Sequence, residues 1–273
     1  MAIPGTKAGK DLKCKLALAA ACAVFPWAGS ARADDFCADR PGQTTPPCAI
    51  APGKIMIETA AVDWSRQRDA TGRTDTVTYG ATELRIGLMT GLEAELGWEP
   101  FGTQRIRDAA TGQVSRASGS GDLSLGFLYG ISGVGGPVAV QGFVTLPTGG
   151  AVLGAGDWGG GVRLPVAFDI GKGVEFSLTP EIDAAVNGSG HGRHLAYGGA
   201  AGLGFVPVER WTLSADYSVF RDQDPAGSVT RQVAGLSLAW QARPNLQLDL
   251  GGEAGIDHDS PGLRVYFGLA RSF

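Results

Sequence analysis

From Ile55 to Phe273 the chain divides into about twelve segments of roughly ten residues, most of which alternate large apolar residues with polar or small ones. In the stretch beginning at Val174, the residues Val174, Phe176, Leu178, Pro180 and Ile182 fall on one face, and Glu175, Ser177, Thr179, Glu181 and Asp183 fall on the other. A period of two belongs to strands and cannot be helical. The same split recurs from Leu92, Asp122, Trp211, Leu246 and Leu263. No apolar run reaches the ~20 residues that a helix needs to cross a bilayer. The pattern therefore predicts an all-β fold, a transmembrane antiparallel up-and-down β-barrel of about 12 strands over residues 54–273. Glycine, at 43 of 273 residues, has no collagen period and suits such a wall.

Connector lengths test this independently, because outer-membrane barrels join strands by short periplasmic turns and longer outer loops. Brief turns are expected near Met89–Gly91, Ser132–Gly136, Gly171–Gly173, Val208–Arg210 and Ala242–Pro244. Longer, polar loops are expected at Ser65–Asp75, Phe101–Gly119, Pro147–Gly156, Asn187–Arg193, Asp222–Gly227 and Asp257–Gly262. An even strand number puts both termini on the periplasmic side. Trp64, Trp98 and Trp158 then fall on the outer rim, and Trp211, Trp240 and Phe273 on the inner one, as interfacial aromatic belts require. A soluble β-sandwich would also alternate. It does not explain an apolar face on every segment or an aromatic last residue.

Lys7, Lys10, Lys13 and Lys15 precede an apolar run from Leu16 to Phe25, then Pro26 and Ala31-Arg-Ala33. This reads as a secretory signal peptide, residues 1–33. Removing it takes away those four lysines, Arg32 and Asp11, leaving 18 of 23 bases and 26 of 27 acids, net −8. Nucleic acid is disfavoured as a partner, since no basic patch stands out in the composition. Cys37 and Cys48 remain as a pair in an oxidising compartment, so a disulfide is expected within a Pro-rich periplasmic segment, residues 34–53. That segment would cap the periplasmic mouth or serve as a tether.

Cys37-Ala-Asp-Arg-Pro-Gly42, Gly53-Lys-Ile-Met-Ile-Glu58, Leu146-Pro-Thr-Gly149 and the ending Pro261-Gly-Leu-Arg-Val-Tyr-Phe-Gly-Leu-Ala-Arg-Ser-Phe273 together resemble the family named for the MetA pathway of phenol degradation. The resemblance spans most of the mature chain. It implies a Gram-negative outer-membrane barrel that passes small molecules, hydrophobic or aromatic compounds among them, and it supplies no catalytic residues. The closing strand also resembles the signal read by barrel-assembly machinery, with Leu269 and Phe273 on one face.

With large apolar residues facing lipid, the pore-lining candidates are Glu58, Glu83, Arg85, Glu93, Glu95, Asp122, Arg163, Glu175, Glu181, Asp183, Asp216, Asp249, Glu253 and Arg264. Acids dominate this set, which would favour cations; alternatively the three arginines are hubs of ion pairs that fill the bore. Inward small residues, Gly198, Ala200, Gly202 and Gly204, would leave room. The expected function is a passive channel in the outer membrane, entered past loops such as Phe101–Gly119, with outer-membrane lipid, a small solute and the assembly machinery as partners. A closed structural or adhesive barrel whose loops bind partners is the alternative. Ser189 with His191, or Ser260 with His258, could be written as a hydrolase dyad, but such pairs arise easily in glycine-rich loops. His191 and His194 fall short of a metal site, and the sequence implies no cofactor.

Overall fold

The computed structural model describes residues 36–258, 260 and 262–273. The expected signal peptide lies outside them. Among the described residues the strand segments run in order β1 (Ile55–Arg68), β2 (Gly72–Met89), β3 (Leu92–Trp98), β4 (Phe101–Asp108), β5 (Val114–Gly119), β6 (Leu123–Gly130), β7 (Ala139–Leu146), β8 (Gly159–Arg163), β9 (Val166–Gly171), β10 (Val174–Val186), β11 (Arg193–Val208), β12 (Trp211–Asp222), β13 (Val229–Arg243), β14 (Leu246–Gly255) and β15 (Leu263–Ser272). β3 and β4 both pair with β2, and β8 and β9 both pair with β10, so each couple is one wall strand broken in the middle. β5 and β6 likewise continue one another beside β4 and β3. The wall thus has twelve antiparallel strands. It closes where β1 pairs with both β2 and β15. Closure joins the two ends of the sheet, leaving only the broken strands β5 and β9 with a single strand partner each, which matters because an unpaired backbone group in hydrocarbon costs several kcal/mol.

Proline and glycine mark the breaks. Pro100 separates β3 from β4, and Pro165 separates β8 from β9. Pro180, within β10, lies beside the second break, where Leu164 N–H donates to the Pro180 carbonyl (3.0 Å). A proline needs a place in the ladder where no donor is wanted, and the interrupted neighbour provides it.

The outer surface is greasy. Phe127, Ile182, Leu203, Leu236, Leu250 and Phe267 all stand exposed on it, far more apolar surface than water tolerates. Aromatic side chains edge this girdle: Tyr79 stacks on Phe101 at the outer rim, and Trp211 stacks on Trp240 at the inner rim with ring centroids 5.6 Å apart. From Tyr79 to Met89 the chain takes ten steps; at about 3.3 Å each and a tilt near 40° this rises roughly 25 Å, the height of a barrel's apolar band. Four of the five turns at the inner rim are two residues long, as expected, but the one between β6 and β7 runs eight residues, 131–138.

Two of the expected outer loops are sheet instead. β1 and β2 stay paired up to Arg68 and Arg73, leaving a tip of four residues, Asp69–Gly72. β4 and β5 pair as a hairpin against the upper part of β2. Together these strands project as a four-stranded flap above the outer aromatic belt. Above the row of Trp64 and Val77 both faces are mostly polar, so the alternation that marks a membrane strand is missing there. A second departure is the bulge between Ala60 and Val62, which shifts the face parity of β1. Below it Met56, Glu58 and Ala60 point inward; above it Asp63 does, and Val62 and Trp64 point out.

Candidate functional site

The N-terminal segment runs inside the barrel from the periplasmic end. Cys37 and Cys48 are joined by a disulfide, and the loop between them packs against wall residues. Cys37, Ile50 and Met56 form a small apolar cluster with Phe36 beside it, and Ala49 packs on Leu128 and Ala139. Met56 and Leu128 therefore depart from the rule that large apolar residues face lipid: they face inward because the segment gives them an apolar partner. Gly87 admits the chain at closest approach. Its backbone exchanges hydrogen bonds with Lys54 and Gly53 (3.0 and 2.9 Å), and a Cβ there would strike the carbonyl oxygens of Ala51 and Ile50.

Arg85 is the hub. Its guanidinium reaches Glu58 (3.0 Å) and Glu93 (2.7 Å) on the wall, and the backbone carbonyls of Cys37 (2.7 Å) and Cys48 (3.2 Å) at the two ends of the disulfide loop. The side chain is 2% exposed, and both carboxylates are at or below 1%. Glu58 also accepts the Asp39 and Arg40 backbone N–H groups, and Glu93 that of Ile50. A buried charge cluster survives only when nearly every donor and acceptor is used, and the segment's backbone completes it. Further along, Arg40 pairs with Asp249 (2.7 Å), Gly42 N–H donates to Tyr266 Oη (3.2 Å), and Thr45 N–H donates to Thr179 Oγ1 (3.0 Å). The segment is thus pinned to β1, β2, β3, β10, β14 and β15, all round the bore.

The remaining arginines hold the wall's interior. Arg163 forks onto Glu181 (2.9 and 3.2 Å), and Gln141 links that pair to Glu95 by donating to it at 2.6 Å. Arg264 binds Asp63 (2.6 Å) and Glu253 (3.2 Å). Asp122 accepts the N–H groups of Gly149 (2.6 Å) and Ala155 (2.7 Å), folding the loop after β7 over the outer mouth. Glu83 stands opposite Glu58 in register, Asp183 opposite Gly161, Asp216 opposite Gly202 and Glu175 opposite Gly204. The inward glycines leave less free room than the sequence suggests. A Cβ on Gly126 would meet Glu95 Oε2 at 2.5 Å, one on Gly202 would meet Asp216 and Ser177 at 2.7 Å, and one on Gly268 would meet Arg40. Much of that space is filled by the long side chains of neighbouring strands and by the N-terminal segment.

Of the cavities within the bore, one of about 430 Å³ lies toward the outer end between Gln67, Thr74, Gln104 and Glu253, and two others touch the N-terminal segment. The outer of these two, about 550 Å³, is walled by Glu83, Asp122, Arg264 and Leu153 and floored by Asp39–Gly42. The inner one, about 370 Å³, touches the other side of the same segment at Asp39, Pro41 and Thr44 and is lined by Glu175, Ser177 and Asp216. Sequence reasoning missed Arg40, Asp39, Asp63 and Tyr266. Asp63 is hidden by the bulge, and the other three become part of the site only once the segment is inside.

The outer-loop histidines form no dyad. Ser189 donates to the His191 carbonyl rather than meeting its ring, and His194 sits between Asp222 (2.6 Å) and Asn187 (2.9 Å), tying loops together. Ser260 is engaged by Asp257 and by Gln232 N–H. Among the described residues no group of three or more His, Cys, Asp or Glu side chains is arranged to hold a metal ion.

The family model described as "Putative MetA-pathway of phenol degradation" matches residues 38–273. The chain belongs to that family. No curated protein sequence matches it. Among solved structures, this member of the phenol-degradation family is similar to an outer membrane channel from Pseudomonas putida F1, at 14% identity and a TM-score of 0.64, over 86% of this chain and 99% of that one. It is also similar to the beta domain of the Bordetella autotransporter BrkA, at 15% identity and TM-score 0.57, over 82% and 100%. The NanC porin aligns at 9% identity and TM-score 0.50, over 80% and 98%. These likenesses establish the fold as that of outer-membrane barrels.

Proposed function

We propose that the chain is a passive channel of the outer membrane, through which small molecules cross a carboxylate-rich lumen past an N-terminal plug. One observation carries the reading: within a closed wall, two cavities abut the same short stretch, at Asp39 and Pro41, from either side. The similarity to a Pseudomonas putida outer membrane channel supports it, and membership of a family described by phenol degradation supports a small aromatic alcohol among its solutes. A phenolic hydroxyl is a donor, and carboxylates such as Glu83 are the acceptors that would pass it along. The outward apolar girdle is the lipid-facing surface, Leu269 and Phe273 on that face would be the residues read by assembly machinery, and we assign the chain no catalysis.

The test is conductance and liposome swelling of the refolded protein against Cys37→Ser/Cys48→Ser. We expect a small wild-type conductance that rises or becomes noisy in the variant, because the plug loses its staple. Absence of conductance and swelling in both would leave a sealed barrel that acts through its outer sheet, the reading that the filled bore otherwise favours.

A further inference from the structure

The projecting flap carries a concentration of positive charge at odds with the rest of the chain. Register places its residues in rows on the outward face, above the girdle. Val62, Tyr79 and Phe101 pair across β1, β2 and β4. Two residues higher come Trp64, Val77 and Thr103. The next row is Arg66, Asp75, Arg105 and Arg116, and the one above it Arg68, Arg73 and Arg107. Six guanidinium groups thus surround one carboxylate. Arg66, Arg73 and Arg105 converge on Asp75 at 3.0, 2.7 and 3.8 Å, while Arg68, Arg107 and Arg116 are exposed.

Like charges set directly opposite across strands destabilise a sheet, and here Arg68, Arg73 and Arg107 stand side by side. The other carboxylates of the tips do not relieve them. Asp69 caps Thr71 and Gly72 N–H, and Asp108 caps Thr111 N–H. Nor is the charge a matter of composition, since the mature chain is net −8. Height decides what would offset it. The first arginine row lies two residues, roughly 7 Å along the strand, above Trp64, whose ring carries the Arg66 guanidinium at 4.7 Å. That is the headgroup level of the outer leaflet, continuous with the lipid-facing girdle.

We propose that this face binds the phosphate groups of a phosphorylated glycolipid in the outer leaflet, with Arg68, Arg107 and Arg116 as the free forks and Asp75 holding Arg66, Arg73 and Arg105 in place. Guanidinium matches phosphate geometry bidentately, and an acyl chain below would lie on Val62, Val77 and Phe101. The proposal rests on the outer-membrane placement above and is independent of conduction.

The refolded chain in detergent is titrated calorimetrically with bisphosphorylated lipid A, with the same lipid stripped of phosphate, and with inorganic phosphate. We expect the bisphosphorylated lipid to bind at least roughly tenfold tighter than the stripped one. Arg68→Gln/Arg107→Gln/Arg116→Gln is expected to weaken it roughly a hundredfold, about fivefold for each arginine. Arg243→Gln, at the periplasmic end, should change nothing. Wild-type binding by the triple variant, equal affinity for both lipids, or inorganic phosphate binding as tightly as lipid would each overturn the proposal. Heat-modifiable gel migration reports folding; should the triple variant fail to fold, Arg107→Gln alone carries the test, with a fivefold loss expected and no loss overturning it. A barrel that inserts into vesicles yet ignores phosphate sinks this proposal alone, whereas one that does not insert sinks the membrane placement.

Discussion

Arg85 shows how one side chain couples wall to plug. Four of its contacts are to acceptors on both sides of the junction: Glu58, Glu93 and two carbonyls of the disulfide loop. Arg85→Met would leave two buried carboxylates uncompensated, a loss of about 3–5 kcal/mol, visible as a lower urea midpoint of the refolded barrel. Arg85→Lys should recover little of it, since a point ammonium cannot serve four acceptors in one plane. Gly87 tests the same junction sterically. A methyl group there meets backbone, the carbonyls of Ala51 and Ile50, which cannot swing aside as a side-chain end would. Gly87→Ala should therefore push the segment off the wall while the strands stay paired, read as new protease cleavage between Cys37 and Pro52 in a barrel that still resists heat in the gel. Unchanged protection would mean that the approach is looser than the structure has it.

At the scale of strands and loops, the outer mouth is tied by carboxylates. Asp157 accepts Gly192 N–H (2.9 Å) and Trp158 N–H (2.8 Å), and Asp224 accepts Gly188 (2.6 Å) and Ala226 N–H (2.7 Å). These backbone donors, with Arg193 near Asp157 and His194 near Asp224, hold both carboxyls below the usual aspartate value of 3.8. A depressed folded-state pKa gives stability that is full above the ordinary value and lost as pH falls through the lower one. A spin label at Ser189 should stay immobile down to about pH 4 and loosen below it; Asp157→Asn should loosen it at neutral pH. Mobility that is flat across this range would remove the staple from the account. The strands themselves were legible, because a wall between lipid and water must alternate, and Val174–Ile182 does so without a break. The flap was not. Between Ser65 and Asp75 and from Phe101 to Gly119 both faces meet polar surroundings, so a sheet there writes no period into the sequence and resembles a loop. The Ala60–Val62 bulge hid Asp63 for a related reason, since strict alternation assigns it to the wrong face.

For the molecule as a whole, the proposed conduction turns on which charges line the axis. Many of the acids expected in the bore are spent: Glu58 and Glu93 on Arg85, Glu181 on Arg163, Asp249 on Arg40, Glu253 on Arg264. That the three wall arginines could be hubs was readable in advance, but not which acids they take, because alternation tells which residues face inward and not whom they meet, and Arg40 reaches Asp249 only through a segment that has no period at all. Among the described residues, Glu83, Glu175 and Asp216 are carboxylates that line the cavities without an arginine bound to them. Glu83 lines the outer cavity while the neighbouring Arg85 is occupied elsewhere, and Glu175 and Asp216 line the inner one. A low-dielectric bore focuses the field of such unspent charges. The reversal potential under a KCl gradient should therefore be that of a cation-preferring channel. Glu83→Gln/Asp216→Asn should move it toward zero with little change in conductance, whereas Glu181→Gln should release Arg163 and carry it toward anion preference. Were the double variant to leave the reversal potential where it was, selectivity would have to lie in the plug, at Asp39 and Arg40.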